Sequence, residues 1–273
     1  MHARSALFDL YGDHLRRRGG SAPVSALVRL LSPLGIAAPA VRTAVSRMVR
    51  QGWLVPVRLP TGPGYALTPR AAARLDDAAG RVYRTADRPW DSTWHLLHTD
   101  RVRHRATRDR LRSGLAFLGY APLDETTWIA PRPSREAVAL LAAEGVAAES
   151  FLAGHDGDSA RLVAMAWDLG ELAATYDRWL ATAREVVAGA GPEPDDETAF
   201  AVRSALVHEW RKFLFRDPGL PAALLPSPWP GERAAAYFDR HAARLLPAAD
   251  RFVDTCLSPG GAATRPYEEA SAV

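Results

Sequence analysis

Among 273 residues the chain has one cysteine, Cys256, and one lysine, Lys212. A single cysteine excludes an intramolecular disulfide and fits a reducing, cytoplasmic setting. No apolar run approaches the roughly 20 residues that cross a bilayer, so no membrane partner is expected. No basic-then-apolar leader opens the chain. The common catalytic signatures are missing too: there is no Gly-x-Ser-x-Gly elbow, no Walker loop and no His-Glu-x-x-His. His95 and His98 stand three apart on an expected strand, so they point to opposite faces and chelate poorly. Cys256 has no partner at ligand spacing. These gaps argue against an enzyme, a metal site or a cofactor. No internal repeat is visible.

What is abundant is arginine. With one lysine, 33 of the 34 basic residues are Arg. The Ala and Pro content points to a GC-rich coding bias behind part of this, yet exposed guanidiniums still suit guanine edges and phosphates. Residues 1–84 hold thirteen Arg against four Asp, a net of +9, so with +3 overall the remainder carries −6. A positive lobe on an otherwise acidic chain attracts a polyanion at one end only. The length accommodates two or three small domains, and 48% hydrophobic content is that of a globular protein.

The positive lobe is patterned. Leu7, Leu10, Tyr11 and Leu15 make the apolar set of a helix over 5–18, and Val24, Leu27, Val28 and Leu31 that of a second over 24–31. Pro33 and Gly35 end the second, and Pro39 opens a third. In the third, Val41, Ala44, Val45, Met48 and Val49 form one stripe at i, i+3, i+4, i+7 and i+8. Arg42, Thr43, Ser46, Arg47 and Arg50 fall opposite. A strand over 53–57, a turn over 60–64 and a return strand over 65–67 follow. Thr68-Pro69 then caps a further helix. Three helices and a hairpin are the order of a winged helix-turn-helix. Arg42, Thr43, Ser46 and Arg47 are expected to face base edges or phosphates, with Arg50 on the backbone and Arg58 near the wing.

Beyond a connector over 85–91, strands are expected at 94–99, 127–130 and 149–153, and helices at 103–118 and 134–144. This spacing suggests a small α+β, ferredoxin-like sandwich. The rest is helical: 160–169, 170–187, 197–215 and 231–246. The expected division is therefore 1–84 (winged module with connecting helix), 85–158 (ferredoxin-like), 159–258 (helical) and 259–273 (a disordered tail). The chain is a multidomain α+β protein on this reading. Two basic clusters stay open. Arg101, Arg103, Arg105, Arg108, Arg110 and Arg112 are either a solvated helix face or a phosphate contact. His208, Arg211, Lys212 and Arg216 sit at i, i+3, i+4 and i+8; they either grip ligand phosphates or pair with nearby acids. Trp167, Tyr176, Trp179 and Phe213 read as core.

These residues resemble the PaaX family of bacterial transcriptional regulators. The resemblance rests on 41–49 with Gly52-Trp53-Leu54, on 65–68, and on Ala166-Trp167-Asp168-Leu169 with Tyr176. Its most specific part is His208-Glu209-Trp210-Arg211-Lys212-Phe213-Leu214, followed by Asp217-Pro218, Leu220-Pro221, Leu224-Leu225-Pro226 and Trp229-Pro230-Gly231. It implies a homodimeric repressor on a double-stranded DNA operator, released by an acyl-CoA, typically phenylacetyl-CoA. The middle region resembles the ferredoxin-like fold of small CRISPR-associated nucleases. Nuclease chemistry would need an acidic cluster, and Asp100 has no partner carboxylate pattern. A metal-dependent nuclease and a regulator controlled by a protein partner remain the alternatives.

Overall fold

The computed structural model describes residues 1–82 and 90–258. The tail expected over 259–273, and all but the last two residues of the 85–91 connector, lie outside them. The described residues form a mixed helical and sheet structure with two small antiparallel sheets. Two compact units divide the chain. One gathers Met1–Ala79, Val186–His208 and the stretch from Arg240 on; the other gathers the described part of Gly80–Glu185 with Glu209–Asp239.

The first unit opens with α1 (Ala3–Leu10). The helix runs on through a π-helical segment, Tyr11–Leu15, and a 3-10 turn, Arg16–Arg18. A short strand β1 (Ser21–Pro23) leads into α2 (Val24–Leu31), and Ala37 precedes α3 (Ala38–Arg50). Helix α3 ends in a reciprocal pair of bonds. The Gly52 amide donates to Val49 O at 3.0 Å and the Trp53 amide to Met48 O at 2.9 Å. This C-terminal cap needs a left-handed residue, and Gly52 supplies it at φ 70°. Strands β2 (Leu54–Leu59) and β3 (Gly62–Leu67) then pair from Leu54↔Leu67 to Leu59↔Gly62. The turn is therefore Pro60-Thr61, shorter than the expected 60–64. The Gly62-Pro63-Gly64 run reads as loop in sequence, yet it is paired strand.

Strand β1 makes this sheet three-stranded, in the order β1-β3-β2. Sequence reading gave no strand there, because Pro23 looks like a helix opening. Gly64 explains how β1 fits. A Cβ at that position would lie 2.6 Å from Leu59 Cδ1 and 2.7 Å from the Ala22 carbonyl. The core of the unit is one cluster that includes Leu7, Tyr11, Leu27, Val45 and Met48 together with Phe200, Val253 and Cys256. Burial pushes the Cys256 thiol up from its ordinary value, so its role is packing. Helix α4 (Pro69–Val82) follows the sheet, capped as expected by Thr68, whose Oγ1 accepts from the Ala71 amide at 3.2 Å.

The second unit contains β4 (Trp94–Thr99), α5 (Arg105–Phe117), β5 (Ala121–Pro122), β6 (Thr127–Ala130), α6 (Arg135–Ala143) and β7 (Ala148–Ala153). The strand order is β5-β6-β4-β7 and every pairing is antiparallel. The two-residue β5 carries too little pattern to be read from sequence. Ser134 caps α6, with Oγ accepting from the Ala137 amide at 3.3 Å. Leu97, Leu111, Leu115, Tyr120 and Leu141 are buried together between these helices and strands. His95 is buried and His98 exposed, in line with their alternate directions along β4.

Helices α7 (Ser159–Ala166), α8 (Leu169–Gly189), α9 (Asp196–Trp210) and α10 (Pro230–Leu257) complete the chain. Asp158, Asp168 and Asp195 accept from the Ala160, Glu171 and Thr198 amides at 2.9, 2.9 and 2.7 Å, at the starts of α7, α8 and α9. Two expectations are corrected here. The helix expected over 197–215 stops being α-helical at Trp210 and tightens to 3-10 over Arg211–Phe215. The helix expected to end at Leu246 runs through Pro247 to Leu257. Proline removes one ladder bond, but Pro247 faces solvent while Ala249, Val253 and Cys256 are buried. Burial of that face outweighs the local penalty.

Candidate nucleic-acid interface

The stripe that seats α3 is buried: Val41 and Met48 are fully covered, and Ala44 and Val45 nearly so. Arg42, Thr43, Ser46, Arg47 and Arg50 are all exposed on the opposite side. Thr43 Oγ1 donates to Pro39 O at 2.9 Å and Ser46 Oγ to Arg42 O at 3.0 Å. Their hydroxyl protons are thus held inside the helix, and the oxygens present lone pairs outward. Arg58 is exposed on β2, opposite Pro63 and one pair from the hairpin end.

The hairpin is fixed to the helices. Tyr11 Oη donates to Tyr65 O at 2.9 Å, and burial holds the phenol well above its ordinary range. Thr68 Oγ1 donates to Gly52 O at 2.8 Å, and Trp53 meets Phe8 edge-on at 4.8 Å. So these contacts tie the hairpin to α1 and to the end of α3.

Charge pairing in this unit is uneven. Arg16 bonds Asp76 at 2.5 Å, Arg18 bonds Asp254 at 2.8 Å, and Arg29 donates to the Cys256 carbonyl. Among the described residues, Arg42, Arg47, Arg50 and Arg58 enter no ion pair. The reason lies in the sequence: between Asp13 and Asp76 there is no Asp or Glu. The local positive charge is therefore uncompensated on the face that carries α3 and the hairpin.

Sequence reading missed a second constellation. Asp13 and Arg203 form a buried two-point pair, with Nη2–Oδ1 at 2.7 Å and Nε–Oδ2 at 2.9 Å. Arg203 also donates to the Ala242 carbonyl. His14 Nε2 lies 3.2 Å from Asp13, and its Nδ1 donates to Asp250 at 3.2 Å. That bond, with Arg18 beside it, holds the Asp250 carboxyl below its ordinary value. The π-helical widening of Tyr11–Leu15 carries both Asp13 and His14. A signal existed: Asp9 and Asp13 sit four apart amid buried α1 and π-segment residues.

That constellation bears on the C-terminal cluster. His208 Nδ1 donates to Asp9 Oδ2 at 2.7 Å. Lys212 pairs with Glu209 at 2.5 Å. Arg211 is half-buried and Arg216 exposed. With α9 ending at Trp210, the four do not share one α-helical face. The nearby aromatics are core: Tyr176 stacks on Phe213 at 4.0 Å, Trp210 on Phe238 at 4.8 Å, and Tyr176 donates to Asp217. Among the described residues no group of three or more His, Cys, Asp or Glu is placed to hold a metal ion.

Three family models match the chain in succession. They are a PaaX-like protein model over residues 2–71, a PaaX protein central Cas2-like domain over 87–159, and a PaaX-like protein C-terminal domain over 167–255. The chain belongs to the PaaX family. This PaaX chain is 29% identical over 260 residues to the transcriptional repressor PaaX of Escherichia coli (strain K12), covering 91% of itself and 82% of that protein. It also matches a solved structure, an uncharacterised protein from Mycobacterium tuberculosis, at TM-score 0.64 and 27% identity, covering 92% of this chain and 98% of that one. The family is regulatory, not enzymatic. No helix among the described residues is long and apolar enough to cross a membrane.

Proposed function

We propose that the chain is a DNA-binding transcriptional repressor that reads duplex DNA with α3. One observation carries this: four unpaired arginines and two outward hydroxyl oxygens lie on the exposed side of α3 and on the adjoining hairpin, in a stretch free of acids. A short helix so presented fits a major groove, and guanidiniums there reach guanine edges and phosphates. The repressor named among its relatives supports the same reading. On it, residues 1–84 are a winged helix-turn-helix module with β2-β3 as the wing, Arg42, Thr43, Ser46 and Arg47 face the groove, Arg50 touches the backbone and Arg58 serves the wing. The β5-β6-β4-β7 order, with helices between β4 and β5 and between β6 and β7, supports a ferredoxin-like reading of 85–158.

The repressor is a cytoplasmic homodimer on two half-sites, because one winged module reads few base pairs. An acyl-CoA such as phenylacetyl-CoA releases it, by preferring a dimer geometry that no longer matches the half-site spacing. Arg211, Lys212 and Arg216 meet its phosphates, Lys212 exchanging Glu209 for the ligand; His208 is engaged with Asp9.

The test uses duplexes selected from a random pool by the parent protein. Arg42→Ala and Arg47→Ala each weaken the selected site by about 1–3 kcal/mol and relax its sequence preference. Stability changes by no more than about 0.5 kcal/mol, since both side chains are exposed. Equal binding by parent and both variants discards α3 as the reader.

A further inference from the structure

The arginines of 101–112 divide into two sets. Arg101 pairs with Glu125 at 2.7 Å, Arg105 approaches Asp109 at 3.7 Å, and Arg110 grips Glu144 with two bonds of 2.8 and 2.6 Å. Arg103, Arg108 and Arg112 are exposed and enter no ion pair among the described residues. Helix α5 buries Leu111 and Leu115; Arg108 stands on the same side, three and seven residues before them, and Arg112 follows Arg108 by one turn, both side chains being exposed. At 1.5 Å per residue they are spaced about 6 Å along the axis, and Arg103 lies just before the first turn. Arg108 and Arg112, so close together, repel each other unless an anion meets them.

The shape of the surface selects the anion. A nucleotide or thioester ligand wants a concave, largely apolar site, and an exposed helix side is convex. Single-stranded nucleic acid wants aromatic platforms for its bases. The exposed neighbours on α5 are Ala106, Asp109, Ser113 and Ala116, none of them aromatic. Forked guanidiniums along a helix match the phosphates of a duplex backbone.

We propose that Arg103, Arg108 and Arg112 form a ridge that contacts the phosphates of double-helical DNA, a sequence-independent contact separate from α3. This rests on the repressor reading and adds a second DNA-binding surface to it.

Three proteins test it: the parent, the Arg103→Ala/Arg108→Ala/Arg112→Ala variant and the corresponding triple Lys variant. Each is titrated by fluorescence anisotropy, over a range of salt, with a mixed-sequence duplex and with a duplex selected by the parent. Each lost phosphate contact lowers the slope of log K against log salt by about 0.9, so the Ala variant loses between about 2 and 3. Its affinity falls by the same factor for both duplexes, leaving their ratio unchanged, and the Lys variant keeps the parental slope. A slope within about 0.5 of the parent's, or a loss confined to the selected duplex, overturns the ridge. If the parent prefers one sequence while the Ala variant's slope is unchanged, only the ridge falls. If the parent shows no preference while the Ala variant loses slope, the ridge stands and the repressor reading falls. If the parent binds neither duplex, both fall.

Discussion

Arg203→Met tests whether the buried pair beneath α1 fastens that helix. The side chains of Asp13 and Arg203 are 4% and 3% exposed, and two short bonds join them. Desolvating two charges costs several kcal/mol, which their attraction and added hydrogen bonds offset only while both are present. Arg203→Met takes the two-point cation from the buried Asp13 carboxylate, leaving His14 at 3.2 Å and Arg17 at 4.0 Å beside it, and removes the donor to the Ala242 carbonyl. The expected loss is about 3–5 kcal/mol. That is a large share of the roughly 5–15 kcal/mol that holds an ordinary domain. Asp13→Leu combined with Arg203→Met removes both charges, so the double variant is expected to recover most of the loss. With two compact units a single unfolding midpoint is ill-defined. Amide hydrogen exchange, resolved by segment, reads the first unit on its own. Two results refute the reasoning: a single variant that costs under about 1 kcal/mol, or a double variant that costs the sum of the singles.

That network also marks where the sequence stopped being legible. Sequence pattern located α2, α3, β4 and β6 almost to the residue: α2 and α3 each bury one clean stripe, while β4 and β6 are short, mostly buried runs rich in aromatic and aliphatic residues. Capping chemistry at Thr68 and Ser134 was legible for the same local reason. What failed was non-local. Strand β1 depends on Gly64 making room for its backbone, and no pattern in Ser21-Ala22-Pro23 announces that. The run of α10 past Pro247 depends on a buried face supplied by Phe200, about 50 positions away, and by the N-terminal helices, about 200 or more positions away. His208 stays open in sequence, between a ligand contact and a pairing with an acid, because its partner, Asp9, is 199 residues distant. The exposed face of α3 was legible residue by residue, since a helix that buries one stripe must present the other.

Three further measurements probe the fold and the regulation. Gly64→Ala forces a Cβ to within 2.7 Å of the Ala22 carbonyl, so β1 must separate from β3; a loss of about 1–3 kcal/mol is expected by exchange in the first unit, and an unaltered Ser21–Pro23 exchange pattern contradicts it. Calorimetry with phenylacetyl-CoA, free coenzyme A and phenylacetate separates thioester, nucleotide and aryl contributions; a tenfold loss of DNA affinity needs only about 1.4 kcal/mol of coupling, and no heat with any thioester removes acyl-CoA sensing. The last concerns pH. Tyr120 Oη accepts from the Ser134 amide at 3.1 Å and lies in hydrogen-bond contact with His95 Nδ1 at 2.7 Å. Burial holds the His95 imidazole below its ordinary value of 6.5. As pH falls below that value the unfolded chain takes up a proton that the folded chain refuses. Stability of the second unit is accordingly full above about pH 6.5, declines as pH drops toward the folded value, and levels off beneath it. His95→Gln keeps an acceptor for Tyr120 without a titrating group, so its stability loses this part of the acid slope. An identical slope in parent and variant assigns the acid sensitivity to other groups and removes His95 from the account.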